Sequence, residues 1–350
     1  MSNSLKLKEN TIIGKDKPTY IIAEMSANHA GELSNAKKII HKAKKAGADC
    51  VKIQTYTPDT MTIDADNKYF TIDKGTWEGE NLYNLYKKAY TPWEWQSELK
   101  KEAESLDIDF FSTPYEKSSV DFLEELGVDF YKVASFSITN LPFLKYLAKK
   151  DKPIIMSTGM STLGEIEEAV KAIKETGNEK LALLNCSSAY PSIPEDMNLK
   201  NINHLKNTFN TPVGLSDHSL GSVAAVAAVA QGADIIEKHF CLSRDIKTPD
   251  SSFSMEPEEF KKMVKRIRSA ERAVGEIDYS LSEKEKTSRI FRRSIFAVKD
   301  IKKGEIFNSD NIRIIRPGYG LKPKYFEQII NKKAAEDIKK GTPLDWGMIG

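Results

Sequence analysis

The residues best suited to chemistry lie within 213–240, VGLSDHSLGSVAAVAAVAQGADIIEKHF, where His218 and His239 each follow a short apolar run. The pattern predicts strand, helix, strand, because a connection of this length between two buried runs is what a parallel pair requires. Both imidazoles then stand at the carboxyl ends of neighbouring strands, where they can share one metal ion. One histidine at a strand end is more often a satisfied structural residue, but two in matching positions favour a metal site. The segment between them, 221–231, is built of Ala, Val, Ser and Gly, so it should be apolar nearly all round and pack closely on the strands.

Two lysines carry a second signal. Lys52 and Lys132 fall in apolar runs that should line an interior, and an ammonium there needs an anion to balance it. A substrate phosphate or carboxylate would serve.

These residues need elements to position them. Apolar or β-branched runs at 20–23, 50–55, 110–113, 130–134, 153–158, 181–185, 213–215 and 235–238 alternate with helical patterns such as 35–46, 93–106, 120–126, 163–176 and 257–274. Eight such units in succession predict an α/β fold, a (β/α)8 TIM barrel. Reactive groups in that fold collect where strands end, and every run here ends in polar residues. They are Glu24 with Ser26, Asn28 and His29; Lys52 with Gln54; Thr113; Lys132 with Ser135; Ser157; Asn185 with Tyr190; Ser216 with His218; and His239, followed by Asp250. Any one hydroxyl could be a helix cap and any one Asn a turn residue, but that explanation does not extend to all eight strands.

The chain of 350 residues is 40% hydrophobic, ample for a large core. Its 52 basic and 50 acidic residues are interspersed, so it lacks the footprint of a nucleic-acid binder. No signal peptide and no apolar run of about 18 residues occurs, which predicts no membrane partner and a cytoplasmic location. The cysteines, Cys50, Cys186 and Cys241, are widely spaced and odd in number, as expected of reduced thiols. An aromatic-rich insertion, 56–95, is expected to be a lid or an oligomer contact. After Gly275 the composition changes. The expected domains are a barrel at 1–275, a polar linker at 276–290 and a small domain at 291–350, whose second β-like run, 312–315, is followed by Arg316.

The stretches IAEMSANHAG, VKIQTYTP, FFSTPYE, YKVAS, MSTGM, LLNCSSAYP, GLSDHS, IEKHF and TPDSSFSM, followed by RPGYG, resemble the sialic acid synthase family with its C-terminal antifreeze-like (SAF) domain. The resemblance covers both domains. It implies condensation of phosphoenolpyruvate with the open-chain aldehyde of an acylated amino sugar, giving a nine-carbon 2-keto acid and phosphate. The wording around Ser26 and Gln54 is most similar to the branch that uses 2,4-diacetamido-2,4,6-trideoxy-L-altrose. The N-acetylneuraminate and legionaminate branches are the alternatives, and a catalytically silent sugar-binding scaffold is the alternative outside enzymology. By resemblance, His218 and His239 hold a divalent metal, Mn2+ with Mg2+ or Co2+ as substitutes, and Asp250 contacts its water. Lys52, Thr113, Lys132, Ser135, Ser157, Asn185 and Ser216 would bind phosphoenolpyruvate. Glu24 would position substrate or transfer a proton, and Gln54 and Tyr190 would meet the sugar. Arg316 would reach the sugar of a partner subunit, which implies a domain-swapped homodimer. One departure is Ser137, where many members carry glutamate.

Overall fold

In the computed structural model, which describes residues 4–350, twelve strands are formed among the described residues. They are β1 (Ser4–Lys8), β2 (Thr11–Gly14), β3 (Tyr20–Glu24), β4 (Cys50–Thr55), β5 (Asp109–Pro114), β6 (Tyr131–Val133), β7 (Ile154–Ser157), β8 (Leu181–Cys186), β9 (Val213–Asp217), β10 (Ile235–His239), β11 (Ser294–Ala297) and β12 (Ile312–Ile315). Strands β3 to β10 close into a parallel barrel in chain order, with β10 pairing β3. The eight apolar runs are its eight strands. The chain divides into two compact units at Gly275–Glu276.

The period-two alternation of each strand sorts its side chains. Ile21, Val51, Tyr131, Ile154, Leu183 and Ile236 face outward and join one apolar cluster with helical residues such as Ile39, Leu99, Val120 and Leu144. The alternate residues Ile22, Cys50, Phe111, Phe130, Ile155 and Leu184 face inward and fill the amino-terminal half of the barrel. Each such fully buried side chain contributes on the order of 1.5–3 kcal/mol. Gly214 permits the closest approach on this inner face, because a Cβ there would lie 2.2 Å from the Ile235 carbonyl oxygen.

The antiparallel hairpin β1–β2 was not anticipated. Leu5, Leu7 and Ile13 from it pack into the same inner cluster and plug the amino-terminal end of the barrel. The alternation of Leu5 and Leu7 was the available signal. Helices Leu82–Ala89, Leu141–Ala148 and Asn201–Phe209 also lie outside the stretches singled out from sequence, and the segment 221–231 is helical only over Val223–Ala230.

In the second unit β11 and β12 pair antiparallel, with Ser294 opposite Ile315, over a separate core that includes Ile295, Phe307, Ile312 and Leu344. Residues 276–290 are not uniformly irregular: they hold a helix, Glu283–Ser288, started by a capping box between Ser282 and Glu285. No helix among the described residues is long and apolar enough to cross a membrane.

Candidate active site

Above the inner apolar layer, the same alternation turns the barrel interior polar. Inward positions one step nearer the carboxyl ends are Glu24, Lys52, Thr113, Lys132, Ser157, Ser216 and Glu237, all buried. Strand register sets them side by side: Glu24 lies opposite Lys52 on β4 and His239 on β10, and Glu237 lies opposite Ser216. The Lys52 ammonium is 2.7 Å from Glu24 Oε2 and 3.6 Å from Glu237 Oε1, and it donates to Thr113 Oγ1 at 3.1 Å. Lys132 Nζ donates to Ser157 Oγ at 2.6 Å and stands 3.9 Å from Glu237 Oε1. Gln54 Nε2 donates to Glu24 Oε1 at 3.0 Å and to Ser26 Oγ at 2.9 Å.

The counter-ions of the two lysines are therefore protein carboxylates, not substrate alone as the sequence suggested. Glu237 was passed over because it sits inside the Glu-Lys-His run, where nothing marks which members face inward. The intervening Lys238 faces outward and pairs with Asp217 at 2.8 Å. Two cations and two anions make this floor neutral, and environment separates their proton affinities. Burial would push Glu237 up, but Lys132 and Lys52 more than offset it and hold its carboxyl below the usual range. Burial prevails at Glu24, which Lys52 opposes and Glu237 assists, so its affinity for a proton is raised. Burial pushes the Lys132 ammonium down to about 8 despite Glu237, whereas Glu237 and Glu24 outweigh burial at Lys52 and raise it.

The histidine pair closes one side of this floor. The rings of His218 and His239 lie 5.3 Å apart. His218 Nδ1 is 2.9 Å from the Ser187 carbonyl, which fixes the ring and directs Nε2 away from that contact. His239 Nδ1 is buried without a hydrogen-bond partner, which leaves it free to take a cation, and burial followed by the His218 charge keeps that ring neutral. Burial opposes a proton on His218, but Cys186, the Ser187 carbonyl and Glu237 together more than offset it and raise the ring's proton affinity, a proton that a bound cation would have to displace. Among the described residues no group of three or more His, Cys, Asp or Glu side chains is arranged to hold a metal. The donor set fits a dication held by two neutral imidazoles with its other positions left to substrate and water. Asp250 Oδ2 is 3.9 Å from His239 Nδ1, beyond a hydrogen bond, and accepts from the Ala27 amide at 3.4 Å.

Near Cys186, whose sulfur lies 3.9 Å from His218 Nδ1, Ser135 Oγ accepts from the Gly159 amide at 3.0 Å. A Cβ at Gly159 would fall 2.3 Å from Ser188 Oγ and 2.9 Å from Ser135 Oγ, so the glycine keeps open a cradle rimmed by hydroxyls. Ser188 was not singled out from sequence. Asn185, which was, shares the outward parity of Leu183 and donates to the Met197 carbonyl at 2.8 Å, so it is not brought to the lysines. Beside it opens a cavity of about 550 Å3 lined by residues including Thr158, Cys186, Asn198 and His204. That cavity holds neither the lysines nor the histidine pair, and it is not where the reactive groups converge.

The aromatic insertion reaches over the site. Trp77 Nε1 donates to the Pro249 carbonyl at 2.9 Å, and its ring lies 5.6 Å from Tyr190, which in turn lies 4.3 Å from His218. His29 is a structural residue: it accepts from the Gly31 amide at 3.0 Å, its ring meets Trp95 edge-on, and burial lowers its pKa to about 4. Arg316 belongs to the second unit, exposed just beyond β12.

Comparison with known proteins bears on this geometry. Residues 39–279 match the NeuB family, and residues 292–350 match the SAF domain. The chain is 48% identical to the pseudaminic acid synthase of Campylobacter jejuni over 95% of this chain and 97% of that protein. It is 40% identical to the N,N'-diacetyllegionaminic acid synthase of the same organism, over 93% of this chain and 98% of that protein. A crystal structure of the N-acetylneuraminic acid synthetase of Leptospira borgpetersenii superposes with a TM-score of 0.74 at 33% identity, covering 82% of this chain and 95% of the other.

Proposed function

Because the chain belongs to the NeuB family, we propose that it makes pseudaminic acid by condensing phosphoenolpyruvate with 2,4-diacetamido-2,4,6-trideoxy-L-altrose. The observation that carries the chemistry is the buried floor in which Lys52 pairs with Glu24 and both Lys52 and Lys132 face Glu237, beside the paired histidines. Phosphoenolpyruvate brings a phosphate and a carboxylate, which need cations and several donors. Lys52 and Lys132 supply the charge, and Thr113, Ser157, Ser135, Ser188 and Ser216 supply hydroxyls. Asn185 is left out of this set because its side chain is turned to Met197.

The new carbon–carbon bond joins C3 of phosphoenolpyruvate to the aldehyde carbon of the sugar. The aldehyde oxygen becomes a hydroxyl, water adds at C2, and phosphate leaves, so sugar, phosphoenolpyruvate and water give the nonulosonic acid and phosphate. A divalent cation, Mn2+ with Mg2+ or Co2+ as substitutes, held by His218 and His239, would when bound polarise the aldehyde carbonyl. Glu24 is suited to the proton required at the aldehyde oxygen, because burial raises its affinity for one. Gln54 holds the Glu24 carboxyl in place through its amide. Asp250, anchored at the Ala27 amide, is suited to orient water beside His239. Tyr190 and the insertion restrict water at the mouth.

The substrate assignment is tested by following phosphate release with phosphoenolpyruvate, manganese and three sugars: the diacetamido-trideoxy-altrose, its legionaminic precursor and N-acetylmannosamine. Turnover with the altrose at least tenfold above the others is expected. Preference for another sugar would move the substrate and retain the chemistry, and no turnover with any would leave the sugar-binding scaffold.

Lys132 must carry its charge to hold the anion, and its pKa of about 8 sets a pH window. Below that value the free enzyme is charged there; above it the charge is lost, so KM for phosphoenolpyruvate should rise about tenfold per unit from about pH 8 upward. Lys132→Arg, which stays charged, should flatten that rise. A wild-type KM that stays level to about pH 9.5 would contradict the role.

We also place the enzyme in the cytoplasm as a domain-swapped homodimer in which Arg316 of one chain meets the sugar held by the other. Arg316→Ala should raise KM for the sugar about tenfold, the loss of a charged hydrogen bond, and leave that for phosphoenolpyruvate within about twofold. Equal rises would count against it. Mixing Arg316→Ala chains with His239→Ala chains should restore sites with the wild-type KM for the sugar, which neither protein shows alone.

A further inference from the structure

Three tyrosines, two just beyond barrel strands and one in the insertion, hold no part in the chemistry proposed above. Tyr56 follows β4 and Tyr115 follows β5, each two residues beyond an inward-facing side chain, Gln54 and Thr113, so the alternation directs both over the pocket. Tyr86 comes from the insertion helix Leu82–Ala89 and meets Tyr56 edge-on at 5.8 Å, while Tyr115 meets Tyr56 edge-on at 5.4 Å. Trp93 Nε1 holds the Tyr56 carbonyl at 3.1 Å, and Ser119 Oγ accepts from the Tyr115 amide at 3.1 Å, so the backbones under two of the rings are tied down. Tyr56 is only 3% exposed.

Among the described residues none of the three hydroxyls has a hydrogen-bond partner. A phenol as buried as Tyr56 ordinarily has one. After burial, the charge of Asp250 has the largest effect on Tyr56 and the Tyr56 ring the largest effect on Tyr115, with Glu24 acting on both, and all of these hold the phenols protonated as donors. The cluster thus combines three apolar ring surfaces with three unspent donors, and Tyr56 and Tyr115 within it are close enough to Glu24 to feel its charge.

That combination matches one part of the proposed substrate. The cations take the phosphate and carboxylate, and the histidine side takes the aldehyde. What remains is a carbon chain bearing amide carbonyls, which accept hydrogen bonds, and acetyl and C6 methyl groups, which prefer ring surfaces. A fully hydroxylated chain would gain much less from such a wall. Resting on the synthase reading above, we propose that Tyr56, Tyr86 and Tyr115 form the selectivity wall for the acylated, deoxygenated end of the sugar, with their hydroxyls donating to its amide carbonyls.

Single Tyr→Phe variants test this while preserving ring packing. A purely structural role predicts no change, because the hydroxyls have no partner in the protein. The proposal predicts that Tyr56→Phe and at least one of Tyr86→Phe and Tyr115→Phe raise KM for the diacetamido sugar about tenfold, with KM for phosphoenolpyruvate and the melting temperature unchanged. Against an analogue lacking the 4-acetamido group, the most affected variant should lose less than threefold, since the deleted partners are then the same pair. Wild-type turnover with all three variants within twofold for the sugar would overturn the wall alone. Losses shared equally by both substrates would also overturn it. Absence of wild-type turnover with any sugar would overturn the synthase reading and the wall together.

Discussion

Replacing His239 by alanine should lower kcat roughly a thousandfold, about 4 kcal/mol, while leaving the barrel folded. In the proposed site two imidazoles and no third side chain among the described residues would hold the metal, so removing one should halve that hold. The folding cost should be small by comparison. Its ring meets Phe253 at 5.1 Å and Tyr190 at 6.3 Å, and its Nδ1 satisfies no other group. Metal content of the purified protein, turnover with added manganese and the melting temperature separate the two effects. A His239→Ala protein that turns over at the wild-type rate in chelator-treated buffer would remove the histidine pair from the mechanism.

The second large effect concerns stability as well as rate. Lys52→Met should destabilise the barrel by roughly 3–5 kcal/mol, because it strands buried charge on Glu24 and Glu237. For a unit of this size that corresponds to a fall in melting temperature on the order of 10 °C. Adding Glu24→Gln should recover part of the loss, because it removes the carboxylate closest to the missing ammonium at 2.7 Å. Neither protein should turn over phosphoenolpyruvate measurably. A melting temperature for Lys52→Met within about 2 °C of wild type would mean that water, not the ion cluster, solvates this floor.

The barrel was legible because its strands are buried on both faces, so each reads as a near-continuous apolar run, and eight of them in succession admit few other closures. The histidines and lysines stood out because charge in such a run needs explanation. Parity within a run was harder to read. Glu237 and Lys238 are adjacent and both buried, yet one joins the reactive floor and the other ties the outer face to Asp217. The same ambiguity separates Asn185 from Ser188: the polar turn after β8 carries several candidate donors, and only the path of the chain decides which meets Gly159. The β1–β2 hairpin has no distinctive local signal, because four or five residues with two apolar side chains resemble any surface segment until the open end of the barrel they fill is present. The tyrosine wall depends on an insertion helix returning to β4, a contact that no local pattern announces.

The most direct measurement is the mass of what forms from phosphoenolpyruvate and 2,4-diacetamido-2,4,6-trideoxy-L-altrose with manganese and wild-type protein. The account predicts one product whose mass is that of the sugar plus phosphoenolpyruvate plus water minus phosphate, formed in step with phosphate release and lost on chelation. Phosphate release accompanied by pyruvate and unchanged sugar would show hydrolysis without carbon–carbon bond formation, and would contradict it.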